Sequence, residues 1–251
     1  MGFDLTGRTA LITGGTRGLG LSMAREVALA GADVVITGRD KDRLDSVADE
    51  LRSASGRTVW PLAKDQAERS QVVALAAEAL AMAGQIDIVI NNAGVNVPAA
   101  VDEITDADWD LTIDTNLTSS MILTRALCPS MKERGWGRFL FVTSTFGRVS
   151  RRARASYSAA KAGLMGFARA AALDLGPHGI TVNCIGPGPF RTDMAARHRA
   201  PGTDDEFAAR TALQRWGEPA ELAGPALMLV SDAGSFVTGA TYFVDGGYTV
   251  S

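Results

Sequence analysis

The sequence is poor in the residues that staple, ligate or anchor a chain. Only two cysteines, Cys128 and Cys184, occur in 251 residues. Two thiols build no disulfide framework, and their separation matches no metal site. Each has apolar neighbours, which reads as core packing, and this usage suits a reducing cytoplasm. Histidine is equally scarce. His178 and His198 have no ligand company, so they read as structural or exposed and no metal is expected. There is no excess of basic charge: the net charge is -3 and the pI about 5.5, which argues against a nucleic-acid partner. Long apolar runs are missing as well. Gly, Ser or charge interrupts each one before membrane-spanning length, so no membrane partner is expected. Residues 1–5 lack the charged-then-apolar pattern of a signal peptide. No Pro/Gly/Ser-rich linker divides the chain, which predicts one domain over 1–251.

What is abundant is apolar sequence, 46% of the residues, in a regular alternation. Short β-type runs at 9–13, 33–37, 58–62, 86–90, 139–143, 181–185 and 241–244 alternate with helical patterns. The helices are expected at 19–30, 41–53, 69–82, 109–132, 156–175, 205–213 and 219–230, the fourth entered through a cap at Thr105/Asp106. Continuous apolar strands separated by helical crossovers predict an α/β fold. They imply a doubly wound, seven-stranded parallel sheet covered on both faces. Ligands of such sheets bind beyond the carboxyl ends of the strands, so motifs should follow strands.

The first strand is followed by Thr13-Gly14-Gly15-Thr16-Arg17-Gly18-Leu19-Gly20 and then a helix. Glycines allow the tight turn and a close backbone approach, and the helix N-terminus favours a pyrophosphate. Alone, such a loop is also compatible with an ordinary turn. Its spacing, T-G-x-x-x-G-x-G, resembles that of the short-chain dehydrogenase/reductase family, and further motifs follow in that family's order. They are Asn91-Asn92-Ala93-Gly94, Asn116, Ser144, Tyr157-Ser158-Ala159-Ala160-Lys161, Pro187 to Thr192, and Val244-Asp245-Gly246-Gly247-Tyr248. Within the family, gluconate 5-dehydrogenase-like and 3-oxoacyl-carrier-protein reductase-like members are the most similar in pattern.

The resemblance implies a Rossmann-like domain binding NADP or NAD. An acidic residue at the end of the second strand would accept the ribose hydroxyls of NAD; Gly38 stands there instead. Arg39 and Arg17 can bracket a 2′-phosphate, which points to NADP, although two solvated arginines would read the same way. Asp40 is one residue late and keeps NAD as the alternative. The resemblance further implies that Asp65 meets the adenine amino group with Gln66 beside it, an alternative for Asp65 being a helix cap. It places Asn92, Ala93 and Gly94 along the adenosine ribose, and Asn91 between strands. It puts Pro187, Gly188, Phe190 and Thr192 at the nicotinamide, and a substrate lid over about 192–213 that includes Met194, Ala195, Ala196, His198 and Pro201.

Tyr157 and Lys161, four apart at a helix start, share one face. Carbonyl reduction needs a proton donor, and a free phenol has a pKa of about 10. Two charges ~4 Å apart at an effective dielectric of ~20 interact by ~4 kcal/mol, or roughly three pKa units. The expectation is therefore a phenol made acidic by the Lys161 ammonium and poised for general acid–base catalysis. Ser144 can orient the substrate oxygen. By resemblance, Lys161 also holds the nicotinamide ribose, and Asn116 holds a water linking Lys161 to solvent. The expected partner is a small-molecule carbonyl/alcohol substrate contacted by 96–100, 145–157 and the lid. Arg148, Arg151, Arg152 and Arg154 make one of these segments basic, suited to an anion, to solvent or to a subunit interface. A non-catalytic dinucleotide-sensing regulator is the alternative class; the presence of both Tyr157 and Lys161 speaks against it. Helices 109–132 and 156–175 are apolar on more than one face and need partners. With the family's helix pairing, this implies a homotetramer.

Overall fold

The structure, a computed structural model, describes residues 2–197 and 203–250. Seven short apolar strands form one parallel sheet: β1 (Thr9–Ile12), β2 (Asp33–Gly38), β3 (Val59–Ala63), β4 (Ile88–Asn91), β5 (Gly137–Val142), β6 (Ile180–Pro187) and β7 (Thr241–Val244). Their order is β3-β2-β1-β4-β5-β6-β7, every pair parallel. The winding reverses between β1 and β4, which opens a crevice at the carboxyl ends of those two strands. This is the doubly wound sheet the alternation predicts.

Helices cover both faces: α1 (Gly18–Leu29), α2 (Lys41–Ser55) and α9 (Ala220–Val230) on one, α3 (Arg69–Ala83), α5 (Ser119–Arg134) and α6 (Ala155–Leu175) on the other. The two-residue period of a strand divides the core accordingly. Ala10, Ile12, Ile88, Ile90, Leu140 and Val142 enter the first layer, while Leu11, Val89, Phe139 and Phe141 enter the second. Phe139 and Phe141 stack with centroids 6.5 Å apart and are fully buried. Truncating Phe141 to Ala would cost about 3–5 kcal/mol. Cys184 lies in this core as expected, and burial pushes its thiol up to about 12. Cys128 is only half-buried, so its reading as core is corrected, and His178 is exposed. Among the described residues no helix is long and apolar enough to cross a membrane.

The fourth helix departs from expectation. It starts early, as α4 (Asp106–Ile113), because Thr105 accepts a hydrogen bond from the Asp108 backbone N–H at 3.1 Å. It then widens into a π turn at Asp114–Thr118 before continuing as α5. Side chains hold that turn open. Asn116 Nδ2 donates to the Thr112 carbonyl at 2.8 Å, and Arg69 grips Asp114 at 2.7 Å. A π turn inserts one extra residue and re-aims the side chains around it, often at functional sites.

After β6 the chain forms α7 (Asp193–Arg197) and α8 (Thr203–Ala209). The helix expected at 205–213 therefore starts and ends earlier, and Gln214 has a left-handed φ of 52° just beyond it. Two residues expected in the lid, His198 and Pro201, lie outside the described residues.

Candidate active site

Glycine chemistry shapes one end of the crevice. Gly14 and Gly18 have φ of 65° and 53°, conformations an L side chain resists. At Gly20 the constraint is space: a Cβ would lie 2.2 Å from the Gly14 carbonyl oxygen and 2.4 Å from Asn92 Nδ2. The loop is tied to the segment after β4. Thr13 Oγ1 accepts from the backbone N–H groups of Asn92 and Ala93, each at 3.0 Å. Asn92 Nδ2 donates to the carbonyls of Thr13 at 2.9 Å and Gly14 at 3.1 Å. Asn92 thus spends its amide holding the loop, and Thr13 is a holding residue that sequence reasoning missed. No side chain caps α1, so its first N–H groups are available to an anion.

Beside this loop, Gly38 ends β2 within 3.1 Å of the Thr16 side chain, measured from where a Cβ would stand. Arg39 faces Asp65 at 3.8 Å, and Arg17 faces Asp193 at 3.8 Å. Asp40 points away: it caps α2 by accepting from the Arg43 N–H at 3.1 Å. Asp65 Oδ1 accepts from the Ala67 N–H at 3.0 Å. Gln66 is buried in the crevice wall with both amide atoms unpartnered. Asn91 is buried outside the wall, paired by its backbone to β5, with its amide nitrogen unpartnered.

At the other end three expected residues converge. Ser144 follows β5, accepts from the Phe146 N–H at 3.1 Å, and its hydroxyl acts on the Tyr157 phenol, lowering its pKa. The Tyr157 ring meets Phe146 edge-on, centroids 6.5 Å apart. Lys161 is buried and its Nζ donates to the Val142 carbonyl at 2.8 Å, 5.6 Å from the Tyr157 ring centroid. The expected electrostatics need correction. The Tyr157 phenol is pushed up from its ordinary value, because burial outweighs the Ser144 hydrogen bond and the positive charge of Arg154. The charge of Lys161 is not among the influences that lower it. Burial instead brings Lys161 itself down to about 8.

Asn116 lies close to Lys161, with its amide committed to the backbone. Its amide accepts from the Val95 N–H at 3.2 Å and donates to the Val95 carbonyl at 2.8 Å as well as to Thr112. It stands behind the crevice wall rather than in it, because the π turn directs it at the 94–95 backbone. A Cβ on Gly94 would meet Asn116 Oδ1 at 2.6 Å and Lys161 Nζ at 3.5 Å, so this glycine lets all three groups meet.

The remaining expected residues line the same crevice. Gly188 donates its N–H to Val244 at 3.0 Å, and a Cβ there would sit 2.6 Å from Asp245 Cα. Phe190 is buried against Gly217, and Thr192 Oγ1 accepts from the Ala195 N–H at 3.2 Å at the start of α7. Thr16, Leu19, Ala93 and Pro187 also face the cavity, whose volume is about 610 Å³. That size suits a ligand site. Phe207 of α8, inside the expected lid, lines the wall and packs on Trp216 at 5.4 Å; Trp216 and Tyr248 beyond β7 are wall residues to which sequence reasoning assigned no site role. They reach the crevice only through tertiary packing. Arg151 and Arg154 of the basic segment line it too; Arg148 and Arg152 do not.

A family model described as enoyl-(acyl carrier protein) reductase matches residues 14–249. The chain is 37% identical over 253 residues to gluconate 5-dehydrogenase of Gluconobacter oxydans (strain 621H), covering 99% of this chain and 97% of the relative. A gluconate 5-dehydrogenase from Burkholderia cenocepacia J2315, solved in complex with NADP and tartrate, superposes with a TM-score of 0.93 at 36% identity, covering 99% of this chain and 98% of that one. A short-chain type dehydrogenase/reductase from Mycobacterium marinum gives a TM-score of 0.93 at 32% identity with the same coverage. The matched family, the relatives and the seven-stranded parallel fold agree: the chain belongs to the short-chain dehydrogenase/reductase family and is an oxidoreductase acting on CH–OH groups.

Proposed function

We propose that the chain is an NADP(H)-dependent oxidoreductase that interconverts a carbonyl and a secondary alcohol on a small molecule, with Tyr157 as general acid and base. The observation that carries this reading is one crevice with two matched ends. Ser144, Tyr157 and Lys161 meet at one end; the glycine loop and the uncapped N-terminus of α1 form the other.

The residues fit a dinucleotide. Gly14, Thr16, Gly18, Leu19 and Gly20 offer the backbone cradle for the pyrophosphate. Asp65 and the unpartnered amide of Gln66 have hydrogen-bonding capacity for the adenine edge. With Gly38 in place of an acid, Arg17 and Arg39 turn from their carboxylates to a 2′-phosphate. The NADP bound to the Burkholderia relative supports this preference. Ala93 and Gly94 flank the adenosine ribose with Asn92 bracing them, Lys161 holds the nicotinamide ribose, and Pro187, Gly188, Phe190 and Thr192 frame the ring. The bound nicotinamide supplies or accepts the hydride.

The chain's own groups handle the proton. Tyr157 is protonated across neutral pH, so it stands ready to give its proton to the carbonyl oxygen. Ser144 steadies that oxygen through the same hydroxyl pair. Lys161, titrating near 8, can return a proton to the phenol at little cost. Asn116 acts by positioning, through Val95 and the π turn. The segment 192–213 serves as the lid, with Phe207 and Trp216 forming its apolar underside.

The names of the relatives, and the tartrate held by one, make hydroxy acids the first substrates to try. We also infer a homotetramer. Leu173 is 80% exposed on α6, Trp109 and Leu111 are exposed on α4, and β7 is an open sheet edge. A monomeric mass by light scattering at micromolar concentration overturns that assembly.

The test is a cofactor-oxidation screen with NADPH and NADH against β-keto esters, sugar acids and diketones. NADPH consumption is expected, with Arg39→Ala reducing the preference over NADH by roughly tenfold or more. Equal rates with both cofactors would replace this reading by an NAD(H)-dependent polyol or sugar-acid dehydrogenase. Cofactor binding without turnover of any compound would favour a sensing role.

A further inference from the structure

Charge along the crevice is balanced at one end and unbalanced at the other. Arg17 pairs with Asp193, Arg39 with Asp65, and Lys64 with Glu78. Asp65 and Asp193 are the carboxylates lining the crevice among the described residues, and both lie with those arginines. Arg151, Arg154 and Lys161 line the catalytic end, and among the described residues no carboxylate pairs with any of them. Lys161 is engaged with the Val142 carbonyl. Among the described residues, Arg154 donates only to its neighbour's carbonyl and Arg151 only rests on a ring.

Arg154 is the sharper case. It is the N-cap of α6, three residues before Tyr157; both side chains line the crevice, and its charge acts on the phenol. Its Nε is buried without a partner, and its one hydrogen bond among the described residues runs from Nη1 to the carbonyl of its own neighbour Ala153 at 2.9 Å. A half-buried guanidinium without a counter-ion is unfavourable, because desolvation goes uncompensated. Burial and the charge of Arg151 both push the Arg154 pKa down. The backbone adds to the cost: Ala153 has a φ of 60°, a left-handed conformation unusual for a residue with a Cβ. Arg151 lies over the Phe207 ring at 4.9 Å, which joins this cationic corner to the lid helix α8.

We infer that Arg154, assisted by Arg151, is the specificity-determining anchor for an oxyanion carried by the substrate. The inference rests on the carbonyl reaction proposed above and adds the charge class of the molecule that undergoes it. A planar guanidinium fork accepts a carboxylate or a phosphate with two parallel hydrogen bonds. The anion belongs to the substrate rather than to the cofactor. The cofactor phosphates belong at the α1 N-terminus, whereas Arg154 caps the Tyr157 helix and shares the crevice wall with Phe146, Phe207 and Trp216. An acidic group next to the reacting carbonyl meets the missing countercharge of this corner.

The test compares matched pairs under NADPH: short keto acids against their methyl esters, and dihydroxyacetone phosphate against dihydroxyacetone. Wild-type enzyme is expected to favour the anionic member of one pair by roughly tenfold or more in kcat/KM, carried by KM. Whichever pair shows it names carboxylate or phosphate as the source. Arg154→Met should abolish that preference and Arg154→Lys restore part of it. Loss of the Arg154 charge also alters the acidity of Tyr157, but equally for both members of a pair, so the ratio isolates the anchor. In parallel, calorimetry with malonate and with inorganic phosphate on the NADP-loaded enzyme should show one anion binding to wild type and not to Arg154→Met. Neutral ketones turned over as fast as anionic ones, or a preference surviving in Arg154→Met, overturns the anchor and leaves the proposed reaction standing. No turnover of any compound overturns the proposed reaction instead, and the calorimetric comparison then decides the anchor on its own.

Discussion

The two ends of the crevice are built on opposite terms. At the glycine loop the side chains are mostly paired, Gln66 apart: Thr13 and Asn92 stitch two loops together, Arg43 Nε donates to the Thr16 carbonyl at 3.1 Å, and the arginines face carboxylates. At the Tyr157 end a buried lysine, a half-buried arginine and a phenol stand with few partners. One end is a preformed backbone mould, which the proposed reading gives to the cofactor phosphates. The other holds desolvated charge that ligands must complete, which perturbs pKa values as functional sites do. The difference teaches where affinity and chemistry are separately stored.

The largest expected effect tests whether chemistry resides at the second end alone. Tyr157→Phe should lower kcat by about 10²–10⁴-fold while NADPH still binds with wild-type affinity by fluorescence titration. Retained activity would remove Tyr157 from the acid–base role, and lost cofactor binding would blur the two ends.

Next comes the stored charge at Lys161, whose folded pKa of about 8 lies below its ordinary 10.5. Between those values the unfolded chain holds the extra proton, so stability of the ligand-free protein rises with pH across that window. The lysine's share approaches about 3 kcal/mol, lost progressively as pH falls through the window. Tyr157 works the other way: its folded pKa is raised, so above about pH 10 the unfolded chain loses its proton first and stability falls. Chemical denaturation from pH 7 to 11 should show the rise, and Lys161→Met should flatten it. An unchanged slope in that variant contradicts the desolvation argument.

The mould is probed by Gly20→Ala. Its Cβ would press on the Gly14 carbonyl and Asn92, so a loss of about 1–3 kcal/mol in thermal unfolding is expected, with cofactor affinity falling as the loop shifts. Full NADPH affinity in this variant would show that the loop is softer than its contacts imply. The smallest effect belongs to Ala153→Gly, which relieves the left-handed backbone before Arg154 and should gain up to about 1 kcal/mol. A clear loss of stability would mean that the Ala153 methyl group is itself held in place.

Much of this was legible in the residues. Alternating apolar runs placed the seven strands, because burial on both faces leaves few polar positions to interrupt them. Tyr157 and Lys161 were readable because helical spacing is local. The π turn at Asp114–Thr118 was not: helical periodicity carries no sign of one inserted residue, and it is held by Arg69 and Val95, distant in sequence. Trp216 and Tyr248 were hidden for the same reason, reaching the crevice from segments whose own patterns are ordinary. The acidity of the Tyr157 phenol was misread because spacing gives the neighbour but not the dielectric. Burial outweighed the charge that proximity suggested.

The sequence by itself determined the order of elements, the glycine turn and the pairing of Tyr157 with Lys161 on one helix face, since each depends on short-range spacing and backbone sterics. Only the tertiary structure decided which charges stand unpaired, where Asn116 spends its amide, and which arginines of the basic segment reach the crevice. Those outcomes depend on desolvation and on partners far along the chain, and neither can be read from neighbouring residues.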